Sequence, residues 1–76
     1  MKLTGFRKSE FTPSDSDRVI KGYSLHCTYE DKNITGLAVE RFFLTEEKMG
    51  TYIPKLGDNI KILFNKYGKP ASVEMA

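Results

Sequence analysis

Apolar and polar residues alternate near the middle of the chain, and this alternation constrains the fold more than any other feature. The apolar members are Val19, Tyr23, Leu25, Cys27 and Tyr29, and the polar members between them are Ser24, His26 and Thr28. Successive side chains of a β-strand point to opposite sides, so this pattern predicts a strand with one buried face. Residues 30–33 (Glu-Asp-Lys-Asn) are polar and turn-forming, and we expect them to close a hairpin with the following strand.

Two further strands are predicted around this one, each with an irregularity. The first runs from Lys2 to Ser9, with Leu3 and Phe6 as its apolar members and a bulge or bend at Gly5. It is followed by a polar loop at residues 12–17.

The third strand runs from Ile34 to about Leu44, and its apolar residues change parity. Leu37 and Val39 share one face, whereas Phe42 and Leu44 share the other. A bulge near Glu40 or Arg41 would bring all four inward, because one extra residue switches the parity that faces the core.

A short helical turn and two strands complete the chain. Thr45 is a suitable N-cap, acids occupy the first turn, and Gly50 can end the helix. Residues 54–58 then turn the chain into a strand in which Ile60, Ile62 and Phe64 alternate with Lys61, Leu63 and Asn65. A tight turn at residues 67–70 leads to a last strand, residues 71–75, with Val73 and Met75 predicted to face inward.

The element order predicts one mainly β domain over residues 1–76. Five short antiparallel strands in the order β-β-β-α-β-β, with one helical turn before the fourth, favour a small OB-fold-like barrel. An SH3-like barrel, which also has five strands, is the alternative. Either barrel must be stabilised by its core, because the single cysteine, Cys27, excludes a disulfide within the chain.

Cysteine use and the first residues predict a cytoplasmic protein. A secreted domain of this size normally carries several cysteines, whereas Cys27 is predicted to be a buried apolar residue. The first five residues are followed by charge rather than by an apolar run, and no stretch is long enough to span a bilayer. We therefore expect no membrane association.

Residues suited to catalysis are sparse, so the sequence favours a binding protein over an enzyme. There is one histidine and no cysteine–histidine cluster, which argues against a zinc site or a histidine-based triad. The six glycines follow no phosphate-binding spacing. We expect no catalytic residue, no metal and no cofactor.

Aromatic residues interleaved with cations suggest single-stranded nucleic acid as the ligand. Rings stack on bases and cations neutralise phosphates, and OB-folds bind such ligands on strands two and three and their flanking loops. The candidate binding residues are Arg41, Phe43 and His26 on that face, Arg18 beside the first loop, and Lys66, Tyr67 and Lys69 in the last turn. The net charge of +2 permits an anionic partner, although the acids of residues 12–17 oppose it.

Several segments resemble small proteins without assigned activity that are encoded in mobile elements of Gram-positive bacteria, namely prophages and conjugative elements. They are Gly5-Phe6, residues 40–48 (ERFFLTEEK), residues 54–58 (PKLGD) and residues 67–70 (YGKP). The resemblance implies a cytoplasmic OB-like protein from a setting rich in DNA transactions, and it supplies no binding residues.

Two functions remain open from the sequence. The first is weak binding of single-stranded DNA or RNA with little sequence preference. The alternative is a protein-interaction module or a small homodimer of a phage or conjugation system, docking through an exposed strand edge or aromatic patch.

Overall fold

The computed structural model describes residues 1–15 and 17–76, so Ser16 of the predicted polar loop lies outside the described residues. The elements are β1 (Lys2–Phe11), β2 (Ile20–Glu30), β3 (Leu37–Thr45), α1 (Glu46–Met49), β4 (Ile60–Phe64) and β5 (Pro70–Met75). The predicted order of three strands, one short helix and two strands is confirmed.

The strands form two antiparallel sheets. Sheet A has the order β1-β2-β3 and sheet B pairs β4 with β5, and no closed barrel is detected among the described residues. The start of β1 joins the sheets, because Leu3 N–H donates to Asp58 O at 2.8 Å and Gly57 N–H donates to Leu3 O at 2.8 Å. Met1 and Ile60 exchange two further backbone bonds.

The core lies between one face of sheet A, sheet B and the helix. It contains Leu3, Leu25, Cys27, Phe42, Leu44, Met49, Ile60, Ile62 and Val73. Burial of such apolar side chains is the main stabilising contribution in a small domain that has no disulfide. The predicted buried positions of Leu25, Cys27, Ile60 and Val73 are confirmed.

Helix α1 closes one side of this core and ends where the sequence predicts. The Thr45 hydroxyl accepts from Lys48 N–H at 3.3 Å, which satisfies one of the amides that a helix start leaves unpaired. Gly50 ends the helix at a φ of 59°, a left-handed conformation that favours glycine. The buried side chain of this single turn is Met49.

The irregularity predicted at Gly5 is present. Leu3 pairs with Cys27 and Gly5 pairs with His26, so Thr4 is the extra residue of a β-bulge. The bulge switches the inward parity of β1, and Phe6 beyond it faces the same side as Leu3. Phe6 lies at the margin of the core, where its ring contacts that of Tyr23 at a centroid distance of 6.4 Å.

The bulge predicted near Glu40 or Arg41 is wrong. Pairing of β2 with β3 runs without interruption from Gly22–Thr45 to Glu30–Leu37. One parity therefore faces inward throughout β3, with Ala38, Phe42 and Leu44 buried. Leu37 and Val39 are simply exposed, at 57% and 73% of their surface, so the change of parity reflects apolar residues facing water.

Other boundaries differ from the prediction by a few residues. β1 extends two residues further, to Phe11, and β3 begins at Leu37 rather than Ile34. The turn delays β3, because the Asp31 side chain accepts from Asn33 N–H and Gly36 has a φ of 91°. Val19 precedes β2 and is exposed, and Met75 at the end of β5 is also exposed rather than inward.

In the described part of the chain, no helix has the length and apolarity that crossing a membrane requires.

Candidate functional site

The side of sheet A that points away from the core is defined by the pairing of its strands, because residues directly opposite one another share a face. We call this side the outer face. Its members on β1 are Lys2, Gly5, Arg7, Ser9 and Phe11, on β2 Ile20, Gly22, Ser24, His26, Thr28 and Glu30, and on β3 Leu37, Val39, Arg41, Phe43 and Thr45. The opposite side of the sheet carries the buried core residues, so the outer face is the side that meets water.

The outer face carries the whole net charge of the chain. It has three cations, Lys2, Arg7 and Arg41, and one carboxylate, Glu30. The chain has twelve cations and ten acids, so the remaining nine cations are balanced by nine acids. Positive charge gathered on one face attracts anionic ligands more strongly than the same charge spread over the molecule.

Arg41 lies directly opposite His26 in the pairing of β3 with β2. The sequence leaves Glu40 and Glu74 as possible ion-pair partners for Arg41. Glu74 lies on β5, and Glu40 belongs to the opposite side of the strand. There its carboxylate raises the pKa of Tyr29, mainly by its charge and also by accepting a hydrogen bond from the tyrosine hydroxyl. Among residues 1–15 and 17–76, no ion pair engages Arg41, so its guanidinium is available to a ligand.

Phe43 is a half-buried ring held in place on the outer face. The ring of Phe11 packs against it at a centroid distance of 5.7 Å and an angle of 58°. Phe43 also lies over Gly22, because a Cβ built on Gly22 would come within 2.8 Å of Phe43 Cζ. The two rings therefore form an aromatic pair beside Arg7, which shares a row with Ser24 and Phe43.

Arg7 belongs to this face and was missed as a site residue by the sequence reasoning. Counting from the buried Leu3 in steps of two would place Arg7 inside, but the bulge at Thr4 reverses that parity. Arg7 and Arg41 are separated by two strand spacings and by two residues along the strands. The rise per residue and the spacing between strands put their Cα atoms about 12 Å apart. The signal was available in the sequence, because Gly5 marks the bulge that turns Arg7 outward.

The other predicted site residues lie elsewhere. Lys66, Tyr67 and Lys69 form a tight turn in which the Asn65 side chain accepts from Tyr67 N–H and Lys69 N–H. Lys66 Nζ lies 5.2 Å from the centre of the Tyr67 ring, a cation–π contact on an exposed turn. The hydrogen bonds and the cation–π contact described for this turn are all made between its own residues. None of them connects the turn to Arg41 or Phe43.

Arg18 is exposed in the segment between β1 and β2. It follows Phe11 by several residues, and the acids Asp15 and Asp17 of the same segment precede it in sequence. The structure therefore brings Arg41, Phe43 and His26 together on the outer face and leaves Arg18 in the connection beside it.

A separate groove of about 670 Å³ lies between α1, the segment that follows it and β5. Tyr52 lines this groove, and its hydroxyl donates to Asp58 Oδ2 at 2.9 Å. Burial and this bond raise the pKa of Tyr52 to about 12. Mixed charges from Glu47, Lys55 and Glu74 border the groove, so it has none of the charge excess of the outer face.

The groups able to hold a metal or act as a nucleophile are few. In the part of the chain that the structure describes, no three histidine, cysteine or acidic side chains gather in a way that could hold a metal ion. Burial raises the pKa of the Cys27 thiol, and the nearby Glu40 carboxylate acts in the same direction, whereas the N-terminal charge opposes them. The thiol is therefore protonated at neutral pH.

Comparisons of the chain with protein-family models, with curated proteins and with solved structures gave no match. The resemblance to proteins of mobile elements stays a prediction.

Proposed function

We propose that the outer face of sheet A binds single-stranded nucleic acid, weakly and with little sequence preference. The observation that carries the proposal is the placing of Lys2, Arg7 and Arg41 on one face, where together with Glu30 they account for the whole net charge. Phosphates require such cations, and the aromatic pair Phe11–Phe43 beside them offers bases a ring on which to stack.

Shape supports a single strand over a duplex. The cations lie at intervals across a sheet rather than along a helix that could enter a groove, and the rings are useful only for unpaired bases. Base stacking on a ring contributes about 1–3 kcal/mol and does not depend strongly on base identity. The preference among sequences is therefore small.

The proposal includes an OB-like arrangement of the two sheets. The order of elements, the backbone bonds that join residues 1–3 to residues 57–60, and the approach of β5 to β3 all support it. In OB-folds the ligand lies on the side that strands two and three present, which here corresponds to the outer face. The turn at residues 65–69 then serves as a secondary contact, through Lys66, Tyr67 and Lys69.

Fluorescence anisotropy with a labelled 20-nucleotide strand tests the proposal, in DNA and RNA versions and over a series of salt concentrations. Binding is expected in the micromolar range or weaker, because three cations give little electrostatic affinity. For three phosphate contacts on a single strand, the slope of log K against log salt is expected to be about −2.

Matched variants then assign the binding to the outer face. Arg7→Ala and Arg41→Ala should each weaken binding and reduce the slope by about 0.7, the share of one phosphate contact. Lys61→Ala removes an equal charge from sheet B, where Lys61 pairs with Glu74, and should leave binding unchanged. No binding at low salt, or equal losses in all three variants, would rule the proposal out.

A further inference from the structure

We propose that two copies of this chain associate through the exposed first half of the β3 edge, in an antiparallel pair of residues 37–41 centred on Val39, so that the two copies of sheet A form one six-stranded sheet. This surface shares Arg41 with the cationic part of the outer face but is centred on Val39, and self-association does not require nucleic acid.

The first support is the exposed apolar surface at the start of β3. β3 is the edge strand of sheet A, and edge strands present unpaired backbone groups to other chains. Leu37 and Val39 are largely exposed there, with Ile34 beside them in the preceding turn. Edge strands usually protect themselves with charge or proline, whereas β3 ahead of Glu40 and Arg41 presents two branched apolar residues on one face.

The second support is that charge excludes two registers and favours a third. If a two-fold axis perpendicular to the sheet relates the two copies, each outer-face residue of β3 lies opposite an outer-face residue of the partner. Centring the pair on Glu40 or on Arg41 would place like charges directly opposite, which destabilises an antiparallel pair. Centring it on Val39 opposes no like charges, and it is the register that places the partner's Arg41 opposite Leu37, the neighbour of Glu30.

The third support is charge complementarity at Leu37. Glu30 lies opposite Leu37 on β2, and a hollow of about 580 Å³ is bordered by Glu30, Asp31, Lys32, Gly36 and Leu37. In the proposed register the partner's Arg41 stands about 10 Å from Glu30 between Cα atoms, two strand spacings away. Its aliphatic stem covers Leu37, and its guanidinium reaches the carboxylate of Glu30.

Sedimentation equilibrium without nucleic acid tests this surface. The wild-type chain should dimerise, and Val39→Lys should remain monomeric, because it sets two ammonium groups opposite each other at the centre of the pair. Ile53→Lys is the matched control, since Ile53 is an exposed apolar residue of the α1–β5 groove and not of the β3 edge, and it should dimerise like the wild type.

A charge exchange tests the register. Glu30→Arg and Arg41→Glu should each raise the dimer dissociation constant about tenfold, which corresponds to about 1.4 kcal/mol. The double variant restores the opposite-charge pair and should recover most of the wild-type affinity. A monomeric wild type at millimolar concentration, an undisturbed Val39→Lys dimer, or a double variant no tighter than the singles would overturn the proposal.

Val39→Lys also separates this inference from the proposed function. It adds a cation to the outer face and removes none, so a monomeric Val39→Lys chain should still bind a single strand. Circular dichroism of each variant verifies that the fold is intact, since all four substituted positions are exposed.

Discussion

Gly22 is the residue at which the outer face depends most directly on the absence of a side chain. A Cβ there would lie 2.3 Å from Leu44 O, 2.8 Å from Phe43 Cζ and 2.9 Å from Thr45 Cα. Two of these atoms belong to the backbone, so they cannot move aside without disturbing the pairing of β2 with β3. Glycine therefore allows β3 to approach β2 closely and lets the ring of Phe43 lie over the gap.

Gly22→Ala is expected to destabilise the chain by about 1–3 kcal/mol, the usual range for a side chain forced into filled space. Gly5→Ala is the matched control, because its Cβ would meet His26 Cβ at an ordinary 3.8 Å and its φ is not positive. Urea unfolding of both variants checks this. Equal stabilities would show that the close approach at Gly22 is not required by the fold.

At the scale of elements, one hydrogen bond between side chains stabilises the connection from α1 to β4. Tyr52 donates to Asp58, and Asp58 in turn accepts from Leu3 N–H through its carbonyl. This arrangement ties the segment between the helix and sheet B to the beginning of β1, where the two sheets meet.

Titration of Tyr52 reports on its hydrogen bond to Asp58. Its pKa is raised to about 12 by burial and by the bond to Asp58, above about 10 for tyrosine in an unfolded chain. The contribution of the neutral Tyr52 hydroxyl to the stability of the folded chain is fully present below about pH 10. It is lost as the pH rises through about 12, because Tyr52 gives up its proton more readily in the unfolded chain.

Ultraviolet titration should therefore show one tyrosine ionising near pH 12, and this step should be missing in Tyr52→Phe. Tyr67→Phe, which alters an exposed ring, should leave the step in place. Asp58→Asn should move the ionisation of Tyr52 to lower pH, because a neutral amide oxygen is a weaker hydrogen-bond acceptor for the hydroxyl than a carboxylate is. A step that survives in Tyr52→Phe would contradict this assignment.

The elements also mark how far the sequence determines the structure. Alternation in β2, the N-cap at Thr45 and the bulge at Gly5 were predictable, because each rests on interactions between residues that are neighbours in the chain. The path of β3 was not. Local pattern predicts that Leu37 and Val39 are buried with the help of a bulge, whereas they belong to an exposed edge.

At the scale of the whole molecule, the candidate site also has a part that the sequence predicts and a part that depends on contacts between distant residues. Arg41, Phe43 and His26 were placed on one face by alternation, and the structure has them there. Arg7 joins them only through the combined effect of the bulge and the pairing of β1 with β2. Closure of the two sheets depends on contacts distant in the chain, so neither it nor the position of the last turn could be predicted from local pattern.

The distribution of charge is the property of the whole molecule on which its proposed function depends. A net charge of +2 gives little overall attraction for nucleic acid. Since that charge lies on one side of sheet A, a ligand should approach the outer face and leave the groove between α1 and β5 unoccupied.

Chemical-shift mapping by NMR, with the isotope-labelled chain titrated with a single-stranded oligonucleotide at low salt, tests this claim most directly. The account predicts that the shifted signals belong to Arg7, Ser24, His26, Arg41 and Phe43, with signals around Lys61 unmoved. Shifts concentrated along the α1–β5 groove, or a spectrum that the oligonucleotide leaves unchanged, would contradict it.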